Sequence, residues 1–109
     1  MYDLRPKGLA AVRDTVYEIV LSDEVAVTLR DLEILDPDCE RLVFAMRSHR
    51  SGAALAASAA DLEELIGAVA AEANHEPHRR RRHRLDGAID ALDVAARRLP
   101  PDPVTDTSR

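Results

Sequence analysis

A chain of 109 residues is the size of one domain and leaves no room for a second core. Hydrophobic residues at 46% and charged residues at 32% exclude a disordered polymer, and no window approaches the ~18 apolar residues needed to span a bilayer. A formal net charge of -5 argues against a surface built throughout for nucleic acid.

Aromatics are only 3%, supplied by Tyr2, Tyr17 and Phe44, and many apolar positions are Ala, which buries little area. The expected core is thin, and self-association is a common remedy for a thin core, so a homo-oligomer is expected. Cys39 is the only cysteine, which excludes an intramolecular disulfide. The first twenty residues carry charge throughout and contain no apolar leader; a cytoplasmic protein is the expectation.

Residues 1–8 are expected to be a flexible N-terminus, with a single small domain over residues 9–99. Thr15 to Leu21 is rich in β-branched residues and short enough for a strand, although Leu9, Val12, Val16, Ile19 and Val20 also fit helical spacing. Ser22 followed by Asp23 and Glu24 is a helix start, an N-cap with acids in the first turn, and Val25, Leu29 and Leu32 share one face of that helix. Asp36-Pro37 starts another helix, with Cys39, Leu42, Val43 and Met46 as its stripe and an expected end near Ser51-Gly52.

The stretch Ser51 to Ala57 reads either as an early helical turn or as a weak strand, being mostly Ala. Ser58 and Asp61 have capping-box spacing, and Leu62, Leu65, Ile66, Val69 and Ala73 form a strong stripe behind them. Pro77 opens a last helix with Leu85, Ile89, Leu92, Ala96 and Leu99 on one side. Two amphipathic helices separated by so short a break predict an antiparallel hairpin. The tail, residues 100–109, has three prolines and is expected to be disordered. A faint echo links Ile19-Val20-Leu21-Ser22 and Leu29 with Leu55-Ala56-Ala57-Ser58 and Leu65.

The segment from Asp61 to His75, DLEELIGAVAAEANH, with Leu85-Asp86 downstream and Leu35-Asp36-Pro37-Asp38 upstream, resembles a group of small uncharacterised bacterial proteins. In that group a comparable acidic helix ending in Ala-Asn-His precedes a basic one. The resemblance covers about two thirds of the chain and implies a short strand before each capped helix. The expected fold is α+β and predominantly helical, in β-α-α-β-α-α order and ending in the hairpin, with an all-α bundle of four or five helices as the alternative. No activity comes with the resemblance.

Charge is segregated along the chain. Residues 3–38 carry nine acids against Arg5, Lys7, Arg13 and Arg30, and residues 61–76 add Asp61, Glu63, Glu64, Glu72 and Glu76 with no basic residue. Immediately after comes His78-Arg79-Arg80-Arg81-Arg82-His83-Arg84, with five positive charges. Seven such residues cover a full helix circumference, so burial begins only at Leu85. Positive charge at a helix N-terminus opposes the macrodipole. Glu72 and Glu76, at the adjoining helix end, are the expected neutralising groups. His78, Arg79, Arg80, Arg81, Arg82 and Arg84 are the candidate binding residues, either for an acidic protein segment or, through bidentate guanidinium contacts, for phosphate and nucleic acid. Nucleic acid is the less favoured of the two, because the chain is acidic and no aromatics interleave the arginines.

Glu72 and His75 stand three apart, a spacing used by metal-carboxylate sites, with His78 near. One pair supplies too few ligands, Pro77 interrupts the helix and the arginines repel a cation, so no metal is expected and this pair is only a weaker alternative. His75 fits better as a helix-end residue bonded to the last carbonyls. Cys39, flanked by Asp36 and Asp38, reads as a packed small residue. Asp61, Glu63 and Glu64 read as the acids of a first turn. No Gly-rich phosphate loop, nucleophile elbow or two-Cys knuckle is present, and nothing calls for a cofactor. The sequence therefore predicts a non-catalytic protein-interaction module, an adaptor, accessory subunit or antitoxin-like or immunity-like partner, with nucleic-acid or phosphate binding as the alternative.

Overall fold

The computed structural model of the chain describes residues 15–33 and 35–99. The expectations for residues 1–8 and 100–109, and the early positions Leu9 and Val12, lie outside the described residues. The elements are β1 (Tyr17–Leu21), α1 (Asp23–Arg30), α2 (Pro37–Phe44), β2 (Arg47–His49), β3 (Gly52–Ala57), α3 (Ala59–Asn74) and α4 (Arg79–Arg97). The fold is α+β and mainly helical, as the sequence implies, with β2 as one strand more than the expected order.

Three of the four expected helix starts are present with their hydrogen bonds; the fourth falls two residues later than expected, at Arg79 rather than Pro77, with His78 as an N-cap that makes no side-chain bond. Ser22 Oγ accepts from the Val25 N–H at 3.2 Å, and Asp36 Oδ1 accepts from the Cys39 N–H at 2.8 Å with Pro37 at the first helical position. Ser58 and Asp61 form the reciprocal box: Ser58 Oγ accepts from the Asp61 N–H at 3.1 Å, and Asp61 Oδ2 accepts from the Ser58 N–H at 3.0 Å.

The sheet is antiparallel in the order β1-β3-β2, so the Ala-rich strand is the central one. It pairs with β1 on one side, Ile19 opposite Leu55, and with β2 on the other. Central strands are held by backbone hydrogen bonds on both edges, and there a small side chain that lets helices approach is worth more than intrinsic propensity. Ile19, Leu21, Ala53, Leu55 and Ala57 form the buried side of the sheet and join Leu29, Cys39, Val43, Leu62, Leu65, Val69, Leu85, Ala88 and Leu92 in one core. Both strand–Ser–helix units of the sequence echo are present, β1–Ser22–α1 and β3–Ser58–α3, meeting at the Ile19–Leu55 pair.

The second helix is shorter than expected. It ends at Phe44 rather than near Gly52, and Met46, buried at the close of the stripe, is followed by the strand Arg47–His49. From Arg47 to Ser51 there is no apolar residue to hold a helix to the core, whereas pairing with β3 satisfies the backbone. Gly52 starts β3 after the turn at Arg50-Ser51, with a φ of 146° that L side chains rarely adopt. The Gly expected to stop a helix therefore closes a β-hairpin.

Helices α3 and α4 pack along each other as the expected antiparallel hairpin, and α1 lies against α4. Leu62 and Leu85 are fully buried within the single chain, while Ile66, Ile89, Ala96 and Leu99 of the same stripes are partly buried. No helix among the described residues is long and apolar enough to cross a membrane.

Candidate functional site

The hairpin end brings together the C-terminus of α3, the link from His75 to His78 and the basic first turns of α4. Arg81 is its centre. Its Nη2 lies 2.5 Å from Glu72 Oε2 and its Nη1 lies 2.5 Å from Glu76 Oε1, with all three side chains mostly buried. Nη2 also donates to the Asp31 carbonyl oxygen at 3.2 Å. Asp31 caps the C-terminus of α1, where the helix dipole favours a cation.

Both carboxylates do a second task. Glu72 accepts from the Glu33 N–H at 3.0 Å through each of its oxygens, which ties the segment after α1 to α3. Glu76 Oε2 accepts from the His78 N–H at 2.9 Å. The first turn of α4 contains no acid, and its N-cap His78 makes no side-chain cap bond, so Glu76 supplies from outside the helix the negative charge that its N-terminus lacks. The His78 N–H, and then Arg81, hold the Glu76 carboxyl below the usual carboxylate range. The same two carboxylates push the Arg81 guanidinium above its ordinary value.

The remaining candidates divide from Arg81. His78, Arg79, Arg80, Arg82 and Arg84 are exposed. Arg82 donates through Nε to the Glu76 carbonyl oxygen at 3.3 Å. Among the described residues Arg79, Arg80 and Arg84 have no carboxylate within ion-pair distance. Arg84 and Arg81 border a shallow cleft of about 270 Å³ whose other wall is α1, with Asp23, Glu24 and Asp31. Glu33, Asp36, Glu72, His75, Glu76 and His78 help line a second, wider groove of about 760 Å³. Arg81 lines both cavities, and each also contains carboxylates.

Glu72 and His75 do not converge on a common point of ligation. His75 Nδ1 is 2.9 Å from the Ala71 carbonyl oxygen, the helix-end role expected of it, while Glu72 is occupied by Arg81 and Glu33. Among the described residues, the potential ligand atoms that come within 4.8 Å of one another belong instead to Asp36, Cys39 and Glu64. Cys39 is fully buried, and burial, followed by Asp36, pushes its thiol up to about 11. A protonated thiol beside two exposed carboxylates at a helix N-terminus, the positive end of the dipole, is poor chemistry for holding a cation.

Asp31 and Glu33 escaped sequence reasoning. Both act through backbone groups, the Asp31 carbonyl oxygen and the Glu33 N–H, so their acidic side chains gave no signal of the contact. No known protein family, curated protein or solved structure matches the chain.

Proposed function

We propose that the chain is a small non-catalytic protein-interaction module of the cytoplasm whose arginine tip docks an acidic segment of a partner protein. The observation that carries this reading is the division within the basic block. Arg81 is fixed by Glu72, Glu76 and the end of α1, while Arg79, Arg80 and Arg84 project with no carboxylate of their own among the described residues. Arg81 anchors the backbone of the tip, so binding orders only the exposed guanidinium side chains, which attract an acidic segment by charge.

The test is recovery of the partner from cells that naturally make the protein, reconstitution with the purified partner, and replacement of Arg79 and Arg80 by Glu. The reading requires binding that weakens about tenfold or more in the double variant and falls with added salt. Binding indifferent to these residues would place the partner elsewhere.

A second reading, phosphate or nucleic-acid binding, draws on Arg80 and Arg84, four apart on one helix face and without an acidic partner among the described residues. Fluorescence anisotropy with a labelled duplex and a single strand separates the readings. Submicromolar affinity at physiological salt that is lost in the Arg79/Arg80 variant favours the second; negligible binding in both forms favours the first.

A further inference from the structure

A different surface lies beyond the arginine tip, where the C-terminal half of α4 runs beside β1. Because the sheet order is β1-β3-β2, β1 is an edge strand whose second side has no strand among the described residues. Between that edge and α4 runs a groove of about 600 Å³, with Tyr17, Val20, Ala91, Val94, Ala95 and Leu99 among its lining. Val20 is 44% exposed there. A five-residue edge of the composition Tyr-Glu-Ile-Val-Leu, neither bulged nor carrying Pro or Lys, is a template for another strand.

The helical wall of the groove says which strand. Asp90, Ala91, Val94, Ala95 and Arg98 recur at the spacing of one helix face. That face carries an acid at one end, small apolar residues in the middle and a base at the other. Laid antiparallel against a copy of itself about a two-fold axis at Val94, it sets Asp90 opposite Arg98 of the copy, and Arg98 opposite Asp90. A parallel arrangement sets like charge on like. Neither residue has an ion-pair partner among the described residues, whereas Asp93 and Arg97 on the adjoining face are already paired at 2.6 Å. Ala91 and Ala95 on either side of Val94 allow two such helices close approach.

We infer that this groove is a homodimer interface, in which a second copy of the chain pairs its β1 antiparallel to β1 and its α4 antiparallel to α4. One two-fold axis perpendicular to the sheet beside β1 generates both pairings, so the contact is self-complementary and closed, and the two three-stranded sheets become one of six. Pairing removes the open edge from both copies. The inference rests on the reading of the chain as an interaction module that self-associates, but it uses residues at the other end of α4 from the arginine tip.

The test is sedimentation equilibrium of the full chain across micromolar concentrations, with Asp90→Arg, Arg98→Asp and the double charge swap. The expected result is a dimer that each single variant weakens about tenfold or more and the double swap restores, with the circular dichroism of all forms alike. Asp90 and Arg98 are exposed, so both substitutions spare the core. A monomer at every concentration overturns the inference, and it does so equally if deletion of residues 100–109 then produces a dimer, since the chain's own C-terminal residues would be the occupant. A dimer indifferent to all three variants also overturns it. Partner binding through Arg79 and Arg80 that survives in the Asp90→Arg monomer separates failure of this surface from failure of the proposed function.

Discussion

Arg81 reaches Glu72 across the helical hairpin at 2.5 Å, and through that one carboxylate it is joined to the Glu33 backbone N–H, 39 residues before Glu72 in the chain. The most basic stretch of the protein therefore contains, at its centre, a residue that holds the fold together. Its neighbours on either side are surface. One run of arginines thus occupies two different settings, divided by which side of the helix faces α1 and α3.

This division predicts unequal effects of alanine substitution. Arg81→Ala leaves Glu72 and Glu76 facing each other without a cation and frees the Asp31 carbonyl, and a loss of about 1–3 kcal/mol is expected for a mostly buried, multiply bonded charge. Arg79→Ala and Arg80→Ala, exposed and unpaired among the described residues, stay within about 0.5 kcal/mol of the parent. Urea unfolding followed by far-ultraviolet circular dichroism measures all three. Equal effects at 79 and 81 would contradict the division.

Acid provides a second check. The folded Glu76 carboxyl sits below its unfolded value, near 4.5, because the His78 N–H and then Arg81 favour its charged form. Between the two values the unfolded chain binds more protons, so stability rises with pH there. Glu76 thus contributes its full stabilisation above the unfolded value and loses it as pH falls through the folded one. Stability measured from pH 6 down to pH 3 should fall less steeply in Glu76→Gln than in the parent. Parallel curves would show that Glu76 is not held as described.

Much of the architecture was legible because local chemistry and burial agree. Ser22, Asp36 and Ser58 start helices where their spacing says they should, and the stripes through Leu62 and Leu85 are buried as read. The strand order was not legible. Ala53 to Ala57 have low β propensity and become the central strand only because β1 and β2, on opposite edges, supply hydrogen bonds on both sides. The helix end at Phe44 was missed for the same reason, since Ser51-Gly52 marks a chain reversal without saying what reverses. At the site, the pairing of the block with Glu72 and Glu76 followed from adjacency along the chain. Asp31 and Glu33 did not, because the packing of α1 against α4 is a tertiary fact.

Gly52 tests the hairpin that the sequence did not disclose. At φ 146° an added Cβ is strained, and it would also run into the Leu21 carbonyl group across the sheet. Gly52→Ala should cost about 2 kcal/mol or more, because neither the positive φ nor the backbone contact can relax without separating β3 from the end of β1. Gly67→Ala is the internal control: its added Cβ meets nothing within 4 Å, and it lies inside α3, where Ala is about 1 kcal/mol the better helix former. Thermal unfolding should move the two variants in opposite directions. A shift of the same sign in both would remove the role assigned to Gly52.

Cys39 offers a check on the core that needs no change of fold. Its thiol is fully buried and stays protonated up to about pH 11, first through burial and then through the Asp36 carboxylate, so at neutral pH the thiolate that reacts with alkylating reagents is nearly absent. Because the folded thiol titrates above its ordinary value of 9.0, stability is fully present below that value and declines as pH rises from 9.0 towards 11. Asp36→Asn keeps an N-cap of comparable strength and removes the charge, so the thiol should titrate somewhat lower with little change in stability near pH 7. Burial, the larger cause, remains. Iodoacetamide labelling of the native chain at pH 7.5, followed by mass spectrometry, should therefore be slow in both forms and become fast only in denaturant. Rapid, complete labelling of the native parent would mean that Cys39 is reachable, and the packing of α2 on the sheet would have to be redrawn.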